Sequence, residues 1–154
     1  MEAFQAVYSY LSGIASLRVV SPSGLLQTDG SMGIYPIRAP QKPNGDLAAT
    51  MPYVCIHIEN QKCTDVFNRN QNIQEATLHL EIWIKGRSEI PLSNIRNIIH
   101  YHLDRANINY PDNFNGLGIK SVKEIGPLRV EEYWCKHLYF DIKWMEQLSG
   151  ISGI

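Results

Sequence analysis

Charge is in short supply and nearly cancels. Of 154 residues, 14 are Lys or Arg and 15 are Asp or Glu, giving a formal net charge of −1. Charged residues make up 19% of the chain, below the usual share of about 25%. The long-range field that recruits nucleic acid is therefore missing, although a local patch is compatible with the count. Cysteine is equally sparse, with Cys55, Cys63 and Cys135 only. An odd number without a CxxC spacing argues against a disulfide framework and fits a reducing compartment. No apolar run is long enough to span a bilayer. The opening Met1-Glu2-Ala3-Phe4-Gln5 has neither a basic nor an apolar signal region. The expectation is a soluble intracellular domain. Walker A, GxGxxG, GxSxG and HExxH patterns are all missing, which removes the commonest phosphate, acyl and zinc-protease signatures.

What is present is ordinary apolar content, at 44%. A chain of this size buries roughly 70% of its unfolded surface, enough for one self-supporting core. We expect a single domain over residues 1–148, a long loop over about 18–52, and a flexible tail over 149–154. Phe4, Val7, Tyr8 and Leu11 recur at helical spacing, and Gly13 is placed to end that helix. From residue 18 to 52, prolines and glycines recur so densely that no useful helix fits. Gly33-Ile34-Tyr35-Pro36-Ile37-Arg38 can form a short extended piece. Ala39, Pro40, Gln41, Lys42, Pro43, Asn44, Gly45 and Asp46 read as an exposed loop or arm. Such loops either carry function or have no partner at all.

Strict alternation marks three strands. Val54, Ile56 and Ile58 share one face, and Cys55, His57 and Glu59 the other. Leu78, Leu80, Ile82 and Ile84 form a second apolar set; Leu138, Phe140, Ile142 and Trp144 form a third. Residues 118–125 read as a fourth strand, broken by Gly126-Pro127. Between the second and fourth strands, Leu92, Ile95, Ile98, Ile99 and Leu103 form a helical stripe, with Ser88 as N-cap and Pro91 in the first turn. Residues 68–72 read as a hairpin loop and 107–116 as a turn-rich return. The fold class expected is α+β: an antiparallel sheet of about four strands with two helices packed on one face.

Candidate chemistry is thin. Cys55 and His57 point the same way on one strand, and His79 lies on the next, so a Cys/His metal cluster is geometrically conceivable. The plainer reading is a polar sheet surface facing solvent or a subunit. Cys135 precedes Lys136 and His137, but adjacent strand residues face opposite ways, which weakens a cysteine nucleophile. Glu131 and Glu132 read as a solvated edge. Trp83 and Tyr139 alternate away from the core set, and exposed aromatics serve an interface, plain surface packing or base stacking. The near-neutral charge disfavours the last use.

The order of these features resembles that of the tail-completion, or tail-terminator, proteins of long-tailed bacteriophages. The residues that carry it span about 1–147. Val7-Tyr8-Ser9-Tyr10-Leu11 lies on the first helix, and a Pro/Gly loop leads into Met51-Pro52-Tyr53-Val54-Cys55-Ile56. The strand Thr77-Leu78-His79-Leu80-Glu81-Ile82-Trp83-Ile84-Lys85-Gly86 follows, then a helix over 90–103, then Leu138-Tyr139-Phe140-Asp141-Ile142-Lys143-Trp144. The resemblance implies a structural virion protein of the tail or neck, assembled in the host cytoplasm. It implies a hexameric ring that ends tail-tube growth and joins the tube to the head connector, with double-stranded DNA passing through its lumen. It implies no cofactor, no metal, no membrane contact and no catalysis. The interface expected comprises the loop Ala39 to Asp46, the outward His79, Glu81 and Trp83, and the tail around Ile151 and Ile154. The alternatives are a head-completion or neck adaptor, a ligand-binding α+β module, and a small enzyme or metal protein using Cys55, His57 and His79.

Overall fold

A computed structural model describes residues 2–20, 23–68, 71–108 and 114–147. In chain order the elements are α1 (Glu2–Ser12), a 3-10 turn (Ala15–Leu17), β1 (Ile34–Pro36), β2 (Tyr53–Asn68), β3 (Gln71–Lys85), α2 (Ile90–Leu103), β4 (Asn107–Ile108), β5 (Phe114–Val130) and β6 (Tyr133–Gln147). Among the described residues the strands form one sheet in the order β1-β2-β3-β6-β5-β4.

The centre of that sheet follows from alternation. In β3, Leu78, Leu80, Ile82 and Ile84 are buried, and so are Leu138, Phe140, Ile142 and Trp144 in β6. Antiparallel pairing sets Leu78 against Phe140 and Leu80 against Leu138, so the apolar sets meet on one face. The helix stripes close over it. Phe4, Val7 and Leu11 of α1 and Leu92, Ile95, Ile99 and Leu103 of α2 belong to the same hydrophobic cluster. Each such side chain stabilises the fold by about 1.5–3 kcal/mol on burial. Tyr10 OH donates to the carbonyl of His102 (3.0 Å), which ties α1 to the end of α2. The α2 start is also as expected within one residue: Ser88 Oγ accepts from the Ile90 amide (3.1 Å), and Pro91 lies in the first turn.

The expected α+β fold, an antiparallel sheet of about four strands with two covering helices, is overturned. The described residues are mostly β, a six-stranded curled mixed sheet resembling a half-barrel, with two helices. Strands of 16, 15, 17 and 15 residues outweigh helices of 11 and 14. Three physical causes account for the difference. First, β1 and β4 are too short to show alternation; β1 pairs in parallel with β2 (Ile34 to Val54), and β4 pairs with β5 where a turn-rich return was expected. Short edge strands expose few unpaired backbone groups. Second, β2 and β3 run on past the core into residues 60–68 and 71–75, where backbone ladders need no apolar side chain. Third, Gly126-Pro127 does not break β5. It sits at a register shift between Ile125 and Leu128, and a bulge tolerates the missing proline amide.

Of the stretch 18–52, the described residues 23–52 are better structured than a bare loop. Leu26 bridges Met32, and Gln41 bridges Leu47. The buried Gln27 side chain donates to the Thr50 carbonyl and accepts from the Thr50 amide and hydroxyl, each at 2.9 Å. This pins the two ends of the segment together. Gly33 is required there, because a Cβ would lie 2.6 Å from Gln27 Nε2 and 3.0 Å from the Leu25 carbonyl oxygen.

Candidate functional site

The face of β2, β3 and β6 opposite the helices is polar because every second residue is. Register stacks it in rows: Tyr53, Trp83 and Cys135; Cys55, Glu81 and His137; His57, His79 and Tyr139. Side chains in such rows and on their diagonals lie within reach of each other. His57 Nε2 contacts Glu81 Oε2 across one diagonal. On the next, His79 Nδ1 lies 2.9 Å from Glu59 Oε1. His79 Nε2 lies 2.8 Å from His137 Nδ1, and Cys135 Sγ lies 3.6 Å from His137 Nε2. Trp83 Nε1 donates to Glu81 Oε1 (3.3 Å). The His79 ring stacks on Tyr139 at 4.3 Å, and Lys123 Nζ sits 4.8 Å from the Tyr139 ring centre.

Burial shifts several titratable groups of this face. It is the leading cause that lowers the His79 pKa, against the opposing pull of Glu59. Burial, reinforced by the Glu81 carboxylate, pushes the Cys55 thiol up to about 11 and the Cys135 thiol up to about 12. Both are protonated at neutral pH, whereas a nucleophilic cysteine reacts as the thiolate. The acidic pair Glu131 and Glu132 is exposed at the β5–β6 turn, with Glu132 3.5 Å from Lys85 Nζ.

The expected interface residues fall into three groups. His79, Glu81 and Trp83 lie together on this polar face, all half-buried. Of the loop, Ala39 is buried in a small second cluster with Ala49, Tyr53 and Cys55, against which Tyr35, Met51 and Trp83 pack. Pro40, Gln41, Lys42, Pro43, Asn44, Gly45 and Asp46 are exposed. They form a tight turn in which the Asp46 carbonyl accepts from the Lys42 amide (2.6 Å) and Asn44 Oδ1 from the Asp46 amide (3.0 Å). The tail with Ile151 and Ile154 lies outside the described residues.

Of the conceivable metal set, His57 and His79 meet with Glu81, while Cys55 is drawn into the small cluster instead. Sequence reasoning missed His137 as their neighbour, and missed that Cys135 and His137 share a face. Their i, i+2 spacing was the signal. It also missed an exposed apolar series along β5: Val122, Ile125, Leu128 and Val130. A cavity of about 480 Å³ lies where β2, β3, β5 and β6 meet, lined by Lys62, Glu75, Thr77, Lys120, Asp141 and Lys143 among others. Among the described residues, no helix is long and apolar enough to cross a membrane.

No protein-family model matches the chain, and neither does any curated protein. Among solved structures, the fold is similar to that of a chain from the virion of a native gene transfer agent (GTA) particle. The two share a TM-score of 0.61 and 14% identity, over 92% of this chain and 93% of that one.

Proposed function

We propose that this chain is a structural component of a phage-like virion, and within it a tail terminator. The carrying observation is the fold shared with the virion chain over nearly the whole of both lengths. The ordered likeness to tail-completion proteins, from the Val7-Tyr8 helix to the closing Leu138–Trp144 strand, supports the finer reading. Subunits would close a hexameric ring at the head-proximal end of the tail tube, stop its growth and join it to the head connector or a head-completion protein. The reading includes no catalytic step.

Two physical features favour it. A ring needs two different surfaces on each subunit that fit one another. The sheet face with His79, Glu81 and Trp83, which β5 extends by register through Ile125 and Leu128, is a candidate for one of them. A net charge of −1 suits a lumen through which DNA slides, since a basic lining would hold phosphates. The exposed loop residues 40–46 would contact an adjacent ring or subunit, and the tail Ile151 to Ile154 would dock on a partner.

The test is native mass spectrometry with negative-stain imaging of the concentrated protein, followed by addition of tail tubes. Rings of about six subunits, or capped tube ends, are the expected result. A monomer that leaves tube ends bare overturns the terminator reading. In that case the cavity of about 480 Å³, within the usual size of small-molecule sites, makes a ligand-binding module the second reading.

A further inference from the structure

Three imidazoles, a carboxylate and a thiol converge on the polar face of β2, β3 and β6. Their donor atoms fall within 4.8 Å of one another in two sets that share Glu81: His57, His79 and Glu81, and Glu81, Cys135 and His137. We propose that this face binds one divalent transition-metal ion of the zinc type, held by His57, His79 and Glu81 with His137 completing the set.

Outer partners orient two of these, His79 and Glu81. Glu59 occupies Nδ1 of His79 at 2.9 Å, which leaves Nε2 turned to the cluster. Trp83 occupies Oε1 of Glu81, which leaves Oε2, the oxygen that contacts His57 Nε2. A carboxylate behind a ligating imidazole and a donor behind a ligating carboxylate are the supports that metal sites use to fix tautomer and direction. Here both stand on the same three-strand ladder, so the donors are positioned by register rather than by a loop. His137 Nδ1, 2.8 Å from His79 Nε2, is close enough for both lone pairs to reach one ion.

The donor chemistry chooses the metal. Imidazole and carboxylate together suit zinc and its neighbours, while magnesium and calcium prefer oxygen alone. When the ion arrives, the proton between His79 Nε2 and His137 Nδ1 moves to Nε2 of His137, so that both imidazoles ligate as neutral rings, and the hydrated ion exchanges waters for the protein donors. Side-chain exposures of 22% for His57 and 19% for Glu81 leave the ion a way in. Cys135 lies on the far nitrogen of His137 and acts as its neighbour, not as a ligand. The inference does not depend on the ring reading.

The experiment uses the full chain, stripped with chelator and titrated with cobalt(II) and then zinc, read by visible absorption and calorimetry. One cobalt per chain is expected, with the intense d–d bands of a four-coordinate ion, displaced by zinc and unmoved by magnesium. H57Q and E81Q should each weaken binding by about 100-fold or more, and E59Q, acting one step back, by about 10–100-fold. C135S should leave affinity and spectrum unchanged. Circular dichroism melts of the metal-free variants verify their fold. Should H57Q or E81Q fail to fold, ring-proton NMR of the unaltered protein decides, with His57 and His79 signals expected to shift on zinc addition. Absence of saturable cobalt or zinc binding overturns the proposal. So does undiminished binding in folded H57Q and E81Q, static His57 and His79 signals, or a sulfur-to-cobalt band that vanishes in C135S.

Discussion

On one face of β2, β3 and β6 stand Val54, Ile56, Leu78, Leu80, Ile82, Leu138, Phe140 and Ile142, all buried. On the other, one residue along in each case, stand Cys55, His57, His79, Glu81, His137 and Tyr139. The backbone is shared; only the direction of the side chain differs. The apolar face works by area, and any aliphatic of matching volume would serve it. The polar face works by donor and acceptor, and its contacts are worth only about 1 kcal/mol each in net stability. The fold thus rests on the first face, and the second is free to be specified by what it binds.

The sharpest way to break this comparison is to open the apolar face. Leu80, fully buried between Ile56 and Leu138, should cost about 2–5 kcal/mol when changed to Ala, through lost transfer energy and the cavity left behind. Urea unfolding monitored by tryptophan fluorescence measures it. A loss below about 1 kcal/mol would mean that the sheet and helices are not held together through this face.

The apolar face was legible because burial writes itself into period two. Leu78, Leu80, Ile82 and Ile84, and Leu138, Phe140, Ile142 and Trp144, were read from the sequence as the inward sets, and all are buried. The α2 stripe was read the same way, and only Ile98 is less than fully buried. What failed was the sheet's extent. Pairing is a backbone property, so β1 at Ile34–Pro36 could be seen as extended but not as parallel to β2. Polar continuations such as Asn60 to Thr64 carry no pattern because nothing covers them. The polar face was half legible. His57 and His79 were placed together by alternation, but the β3–β6 register that brings in His137 belongs to topology, which period two does not encode.

A middle-sized effect lies at the rim of the apolar face, where charge is tolerated because it is closed. Glu124 of β5 accepts from Arg96 Nε of α2 at 2.7 Å and from its Nη2, and Lys136 Nζ lies 3.5 Å away. The Arg96 hydrogen bonds hold the Glu124 carboxyl below its ordinary value near 4.5. A carboxylate with a depressed folded-state pKa adds stability that is complete above the unfolded value and is lost as pH falls through the folded one. E124Q should therefore cost about 1 kcal/mol at neutral pH, and the gap between it and the unaltered protein should close as pH drops below about 4.5. Urea midpoints measured from pH 7 to pH 3 would show this. A gap that persists unchanged at the acid end would mean that packing, not the ion pair, holds the rim.

The smallest effect belongs to apolar residues that no part of the described chain covers. Val130 ends β5 with 63% of its surface exposed, beside Leu128 and ahead of the Glu131–Glu132 turn. If the comparison of faces is right, apolar character counts toward stability only where it is removed from water. Val130→Thr keeps the β-branched shape and should shift the unfolding free energy by no more than about 0.5 kcal/mol. The same substitution, combined with L128T, should lower the oligomer fraction seen by native mass spectrometry if this edge of β5 meets another subunit. A stability loss above about 1 kcal/mol in the isolated subunit would instead place Val130 in the core. The end of β5 would then belong with the packed residues, and the surface available for assembly would reduce to the polar rows of β2, β3 and β6.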